Sequence, residues 1–432
     1  MSSRRNSRDV SHATGRASPA LATLAWTFSL FTLLWPTVLY PLVLAVLSRR
    51  FGKTVDRQEG YEPAVTIVIP TYNEATLIRR RLEDIASYDY DADKIEVIVV
   101  DSGSSDGTVE VVEATRRERL LPKLVLIRED ERRGKAAADN LGLRRASGEV
   151  MIITDAPTLF DPGAVRRLVS NFADPSVGAV TGDFRVPEQS TASQREEGLF
   201  WTLRNKLRRL EADLDSTPFL SGEMCCFRRS LLEGADEDSM ADDMNISLKL
   251  RQAGYRTVVD PVASFSEPRS ASFRELDASK SRRAVGGIQE LFRFRRMMFR
   301  RRYGWFGMLI LPSDLLYYLP ARPFALAFLG SEMLRRLGKR RASPLSAIAM
   351  AAGVLGIHRA ARSPAAREAM LVALFNEWVF LRGFLSWARG SYSVAWAQER
   401  STRRLVDDGG LPRDSAGRTA DKTEQMSAHL DE

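Results

Sequence analysis

Val65-Thr66-Ile67-Val68-Ile69-Pro70-Thr71-Tyr72-Asn73-Glu74 sets an apolar run against a proline and a polar tip, and reading it decides the fold class. A second run, Val97-Ile98-Val99-Val100, ends the same way in Asp101-Ser102-Gly103-Ser104-Ser105-Asp106-Gly107-Thr108. Unbroken apolar runs of this length, closed by turn-forming residues, read as strands buried on both faces of a parallel sheet. Residues 124–127, 150–154 and 177–181 repeat the pattern, with charged helix-type stretches such as 77–87 and 163–172 between them. Strands alternating with helices spell an α/β domain, here from about 63 to 277. Open parallel sheets bind ligands at the carboxyl ends of their strands, so Asp101 is placed to accept hydrogen bonds from a base or ribose. The competing reading makes Asp101 and Ser102 turn residues. Asp106 reads as a cap for a helix beginning near Thr108.

Membrane signals flank this domain in the 432-residue chain. Residues 20–47 contain no charge, and a helix of that length spans roughly 40 Å, enough to cross a bilayer with tilt. A signal peptide is the rival reading, but the run exceeds the usual apolar core of about 7–15 residues. Pro36 and Pro41 are placed to kink it. Residues 1–19 and 401–432 are polar and read as disordered tails. Apolar segments recur at 305–319, 324–333, 345–357 and 369–387, interrupted by Asp314, Arg322, Glu332, Glu377 and Arg382. They predict two or three further crossings, with an interfacial helix, within 304–390.

The net charge of +8 is concentrated in a telling place. In the region 278–303, Arg293, Arg295, Arg296, Arg300, Arg301 and Arg302 interleave with Leu291, Phe292, Phe294, Met297, Met298 and Phe299. A helix here lies at an anionic membrane surface, with lipids as partners. Single-stranded RNA is the competing partner, but no recognised RNA-binding motif accompanies the arginines, and nucleic acid is not expected. Charges on the two sides of 20–47 balance, so the basic stretch sets the expected topology: an external N-terminus and a cytosolic 63–277 domain, integral to the cell membrane.

Composition also narrows the chemistry. Cys225 and Cys226 are adjacent and without further partners, so they read as packing residues. With only three histidines, a histidine zinc site or a Ser-His-Asp triad is improbable and acid–base work falls to carboxylates. Four segments supply candidates. Gly134-Lys135 opens a small-residue helix ending its first turns in Asp139-Asn140, where Lys135 either meets phosphates or lies on the surface. Asp155-Ala156-Pro157 follows a strand. Asp242-Asp243 precedes a helical pattern, as catalytic acids or as partners of the helix dipole. Lys280 and Arg283 sit one turn apart ahead of the basic stretch, able to clamp a diphosphate.

Taken in order, these segments resemble the family 2 glycosyltransferases, inverting enzymes with a GT-A fold that use nucleotide sugars. The resemblance runs from about Val65 to Arg302. It implies a mixed, mainly parallel sheet with helices on both faces, and a nucleotide site at Pro70, Glu74, Asp101 and Lys135. Asp155 would meet the ribose and a divalent metal, Mg²⁺ or Mn²⁺, although Pro157 stands where the family carries a second acid. Asp243 aligns with the family's catalytic base and Asp242 with the acid before it. Lys280 and Arg283 fall where processive members carry Gln-x-x-Arg-Trp; Ala284 replaces the tryptophan, which favours transfer of one or a few sugars. The implied activity is transfer from a nucleotide sugar, a UDP-sugar by expectation, to a glycan or lipid acceptor in envelope polysaccharide biosynthesis. Transfer to a lipid phosphate carrier, and nucleotide-sugar binding without catalysis, are the alternatives.

Overall fold

The computed structural model describes residues 19–187, 189–269, 273–338 and 362–392, together with 355 and 358. The expected tail at 401–432, nearly all of the N-terminal tail and, but for Leu355, the apolar segment 345–357 lie outside the described residues.

Eight strands build one sheet: β1 (Val65–Thr71), β2 (Ile95–Asp101), β3 (Lys123–Arg128), β4 (Val150–Ile153), β5 (Leu159–Phe160), β6 (Val177–Arg185), β7 (Cys225–Arg228) and β8 (Arg256–Ser266). Their order is β3-β2-β1-β4-β7-β6-β8-β5. The first four neighbours are parallel, β7 runs antiparallel between β4 and β6, and β8 is parallel to β6 and antiparallel to β5. The sequence pattern misses β7 because its two cysteines carry no strand signature, yet both are buried and unbridged in the middle of the sheet.

Alternation within each strand sorts side chains to two faces. Val65, Ile67 and Ile69 of β1 join Val97 and Val99 of β2 in a core against α3 (Ala75–Ala86), α4 (Thr108–Arg117) and α6 (Ala164–Ser170). Val68, Ile98 and Val100 face the other way, against α5 (Lys135–Arg145) and α8 (Asp242–Gln252). Burial of each such valine or isoleucine is worth about 1.5–3 kcal/mol, which is why these runs fix the sheet. Gly142 presses α5 onto β1: a Cβ there would lie 2.5 Å from Val68 Cγ1.

The long α7 (Ala192–Leu214) opens with a capping box between Thr191 and Gln194. At the N-terminus, α1 (Pro19–Leu34) and α2 (Tyr40–Phe51) join through a wide π-type turn over Trp35–Leu39, where Pro36 breaks the regular ladder. Leu24–Phe51 is the one helix among the described residues long and apolar enough to cross a membrane. Tyr40 and Leu44 dock into a third core with Leu291, Met297, Phe306 and Leu311.

The basic region corrects the sequence expectation. α9 (Phe273–Arg293) ends where the arginine run begins, and 3₁₀ turns at Arg295–Met297 and Arg301–Tyr303 replace a continuous interfacial helix. Phe294, Met297 and Met298 leave that periodicity to fill the third core, while Arg295, Arg296, Arg300, Arg301 and Arg302 stay exposed. The later apolar segments form α10 (Leu311–Tyr318), α11 (Ala321–Gly338) and α12 (Pro364–Ala388).

Candidate active site

At the strand tips, β1 and β2 are in register, Thr71 opposite Asp101. Side chains lace the two tips together. Asn73, at φ 54°, accepts from Ser105 N at 2.8 Å and donates its own N–H to Ser104 Oγ at 2.8 Å. Asp106 accepts from Thr108 N and from Ala75 N, both at 3.0 Å, so it serves the first turns of α4 and α3 together. Asp101 is 2% exposed; one oxygen accepts from Ser104 N at 3.0 Å, and the other has no hydrogen-bond partner among the described residues. Pro70 is half-buried beside it, whereas Glu74 is fully buried at the head of α3.

Lys135, Asp155, Asp242, Asp243, Lys280 and Arg283 all line a second, continuous space, a cavity of about 180 Å³. Pro70, Glu74 and Asp101 lie outside its lining. Gly134, at φ 107°, turns the chain so that Lys135 opens α5 toward the cavity. The Lys135 ammonium sits 3.0 Å from Asp139, 3.1 Å from Asp242 and 3.7 Å from Asp155. Burial pulls its pKa down, but those three carboxylates outweigh burial and hold it well above the usual range. The surface-lysine alternative is therefore excluded.

The two acids opening α8 differ. Burial pushes Asp242 up, but Lys135 overrides it and the net shift is downward. Asp243 makes no ion pair among the described residues; burial and then the Asp242 charge push it up to about 7. Asp155 is pushed up to about 6, by burial first and, against Lys135, by Glu223 and Asp242. This surplus of negative charge suits a divalent cation. Asp155 is the only acid its motif supplies, and no cluster of three His, Cys, Asp or Glu forms a metal cage among the described residues.

Lys280 and Arg283 are not free clamps. Lys280 donates to both Glu196 oxygens at 2.6 Å and to Asn376 at 2.9 Å. Arg283 reaches Glu197 at 3.3 Å and keeps one nitrogen without an acceptor. Glu197 is fully buried; burial raises its pKa, but Arg283, Arg269 and Lys280 bring it down to about 2. Sequence reading missed Glu196, Glu197 and Glu223. The signal was present in Glu196-Glu197, two adjacent acids on a helix whose buried face also carries Arg204, Asn205, Arg208 and Glu211, more polar than packing alone requires.

Residues 66–234 match the family model "Glycosyl transferase family 2". This is a family 2 glycosyltransferase domain. Among curated relatives, a poly-beta-1,6-N-acetyl-D-glucosamine synthase of Staphylococcus aureus (strain COL) is 29% identical over 222 residues, 50% of this chain and 52% of that protein. The chain thus spans about half the length of that relative. A probable glycosyltransferase, YdaM, of Bacillus subtilis (strain 168) is 27% identical over 63% of this chain and 68% of its own length. Among solved structures, a mannosyltransferase from Pyrobaculum calidifontis in complex with GDP-Man and Mn2+ superposes with a TM-score of 0.66 and 29% identity, covering 86% of this chain and 99% of that one. The family 2 domain therefore has the GT-A fold expected of it, a mixed and mainly parallel sheet with helices on both faces.

Proposed function

We propose that the protein is a membrane-bound inverting glycosyltransferase, moving a sugar from a nucleoside-diphosphate donor to a hydroxyl of a glycan or lipid acceptor. One observation carries the reading: Asp242 and Asp243 are adjacent, yet Lys135 holds one ionised while the other, with no ion pair among the described residues, is pushed up to about 7. Acids whose surroundings push them apart are how acid–base roles are divided. Titrating near neutrality, Asp243 is suited to take the acceptor hydroxyl's proton as that oxygen attacks C1 from the face opposite the diphosphate. One displacement inverts the anomeric centre and needs no second, nucleophilic carboxylate.

The free Asp101 oxygen suits a base or ribose hydroxyl, and Lys135 and Arg283 suit the diphosphate. Asp155 would hold a divalent metal together with diphosphate oxygens; when bound, the metal offsets the charge of the leaving nucleoside diphosphate. Leu24–Phe51 supports anchoring, since its helix is largely uncovered, with Leu24 and Phe28 over 60% exposed (64% and 65%). The catalytic domain then faces the cytosol, where nucleotide sugars are supplied. The test is turnover by the full chain in membranes with UDP- and GDP-sugars, the second arm suggested by the mannosyltransferase's GDP-Man. Release of nucleoside diphosphate without a glycosylated product, or with turnover undiminished in Asp243→Asn, would sink the reading.

A further inference from the structure

The segment from Thr154 to Phe160 leaves β4, brings Asp155 into the cavity wall, passes Pro157 and returns as β5. On its α3 side lies Arg81, 0% exposed and among the largest side chains sealed from solvent. One guanidinium nitrogen donates to Asp84 and, at 2.7 Å, to the Tyr88 hydroxyl; the other donates to Thr154 Oγ1 at 3.0 Å. The same guanidinium lies 4.4 Å from the centre of the Phe160 ring, which Tyr88 stacks at 5.7 Å with planes 5° from parallel. Asp84 in turn accepts from the Tyr88 hydroxyl at 2.9 Å and from Phe160 N at 3.4 Å. One buried cation therefore holds both ends of the segment: Thr154 by a hydrogen bond, Phe160 by its ring and, through Asp84, by its N–H.

Stability does not account for this arrangement. Ile78, Leu82, Ile85 and Ile152 belong to the same core, and an apolar side chain of similar volume there would stabilise the fold about as well as a buried ion pair does. What an apolar chain would not supply is direction, because a guanidinium presents its donors in a rigid fork. We propose that Arg81 is a positioning residue for the metal: by fixing Thr154 and Phe160 it fixes where the Asp155 carboxylate stands. The inference rests on the reading of Asp155 as a metal ligand. A motif that supplies one acid, with Pro157 where a second would be, has nothing to correct a misplaced first. Such a ligand must be held to within about 0.5 Å by the groups behind it. Arg81 acts through Thr154, whose own N–H donates to Val68 O at 3.1 Å, so the residue before Asp155 is tied both to β1 and to α3.

The test reads Mn²⁺ affinity of the full chain by the paramagnetic resonance of the free ion, with nucleoside diphosphate bound and protein in excess so that no free nucleotide competes for the ion. Thr154→Val keeps the shape of the side chain and removes the oxygen that Arg81 holds; Thr154→Ser keeps the oxygen. Mn²⁺ affinity should fall about tenfold in Thr154→Val, the usual scale for a group that orients a ligand, and stay at the parent value in Thr154→Ser. Nucleoside diphosphate affinity measured without metal should be the same in all three, which a general loss of structure would not allow. Arg81→Met should match Thr154→Val, and the two combined should lose no more than either alone. If Arg81→Met does not fold, the Thr154 pair decides by itself. Parent-like Mn²⁺ affinity in Thr154→Val, equal weakening in Thr154→Val and Thr154→Ser, or loss of metal-free nucleotide binding in Thr154→Val overturns the inference. Asp155→Asn separates it from the reading beneath it: unchanged Mn²⁺ affinity there sinks the metal assignment itself, whereas weakened affinity there beside an intact Thr154→Val sinks the role of Arg81 alone.

Discussion

Two buried lysines in one cavity have opposite electrostatics. Lys135 lies among three carboxylates drawn from α5, the tip of β4 and α8, and is held well above its ordinary pKa range against the pull of burial. Lys280 touches Glu196 and nears Glu197, but shares Glu197 with Arg283 and Arg269, and burial leaves it lowered. Burial pulls both lysines down; they differ in how far the neighbouring carboxylates offset it. Acids outnumber the cation at one end of the cavity; at the other, cations share the acids. In the proposed function, Asp155 at the first end would hold the metal and Arg283 at the second would meet diphosphate oxygens.

The sharpest way to break the comparison is to remove the acid that neither lysine neutralises. Asp243→Asn should keep nucleoside diphosphate binding and lower transfer by roughly 10²–10⁴-fold, the usual loss for a positioned proton acceptor. Asp242→Asn should be milder, because Lys135 retains Asp139 and Asp155. Initial rates of both variants at saturating donor decide the ranking, and equal losses would mean the two acids act as one unit.

A pH series sharpens the same point. With Asp243 near 7, kcat/KM should climb about tenfold per pH unit below neutrality and level off above it. Stability runs the other way. A carboxyl raised in the folded state stabilises fully below its unfolded pKa and loses that contribution as pH rises through the folded one. Asp243→Asn should therefore melt higher than the parent at pH 8, and the advantage should vanish near pH 4. A variant with no advantage at pH 8 would mean that Asp243 is not raised.

At the second end the expected effects are smaller and divide by residue. Arg283→Gln should weaken nucleoside diphosphate binding roughly tenfold, since Arg283 is 30% exposed and has a nitrogen to spare. Lys280→Met should instead lower the melting temperature by several degrees, leaving Glu196 buried beside Asn376 without its cation. Calorimetric titration and thermal melts separate the two; the reverse pattern would make Lys280 the clamp.

Legibility in the sequence follows the same divide. The strand tips could be read because unbroken apolar runs ending in Pro70-Thr71 and Asp101-Ser102 state both strand and terminus locally. Asp155, Asp242 and Lys135 could be read because each opens or closes such an element. The second end could not. Lys280's partners come from α7 and α12, some 80 and 100 residues away in the chain (separations of 84 and 96), and no local pattern encodes such a meeting. Tyr318 enters the cavity only because Gly287 lets it approach. The arginine run misled for a related reason: its apolar residues are periodic enough for a helix, but packing against Tyr40 and Leu44 satisfies them in turns.

The smallest effect concerns Pro157 and tests the acidic end directly. Asp155 is the single acid from its motif, so the nucleotide-free protein should hold Mg²⁺ or Mn²⁺ weakly, and nucleoside diphosphate should tighten it by completing the oxygen shell. Pro157 is half-buried one residue beyond the buried Ala156, in the turn where Thr158 N donates to Asp155 O at 3.3 Å. Pro157→Asp adds a carboxylate near Asp155 and releases proline's fixed φ. Metal affinity without nucleotide should rise a few-fold, while affinity in the ternary complex changes less, because diphosphate oxygens already fill those positions. Tight metal binding by the nucleotide-free parent that survives Asp155→Ala would place the cation elsewhere, and the surplus charge around Lys135 would then serve the lysine alone.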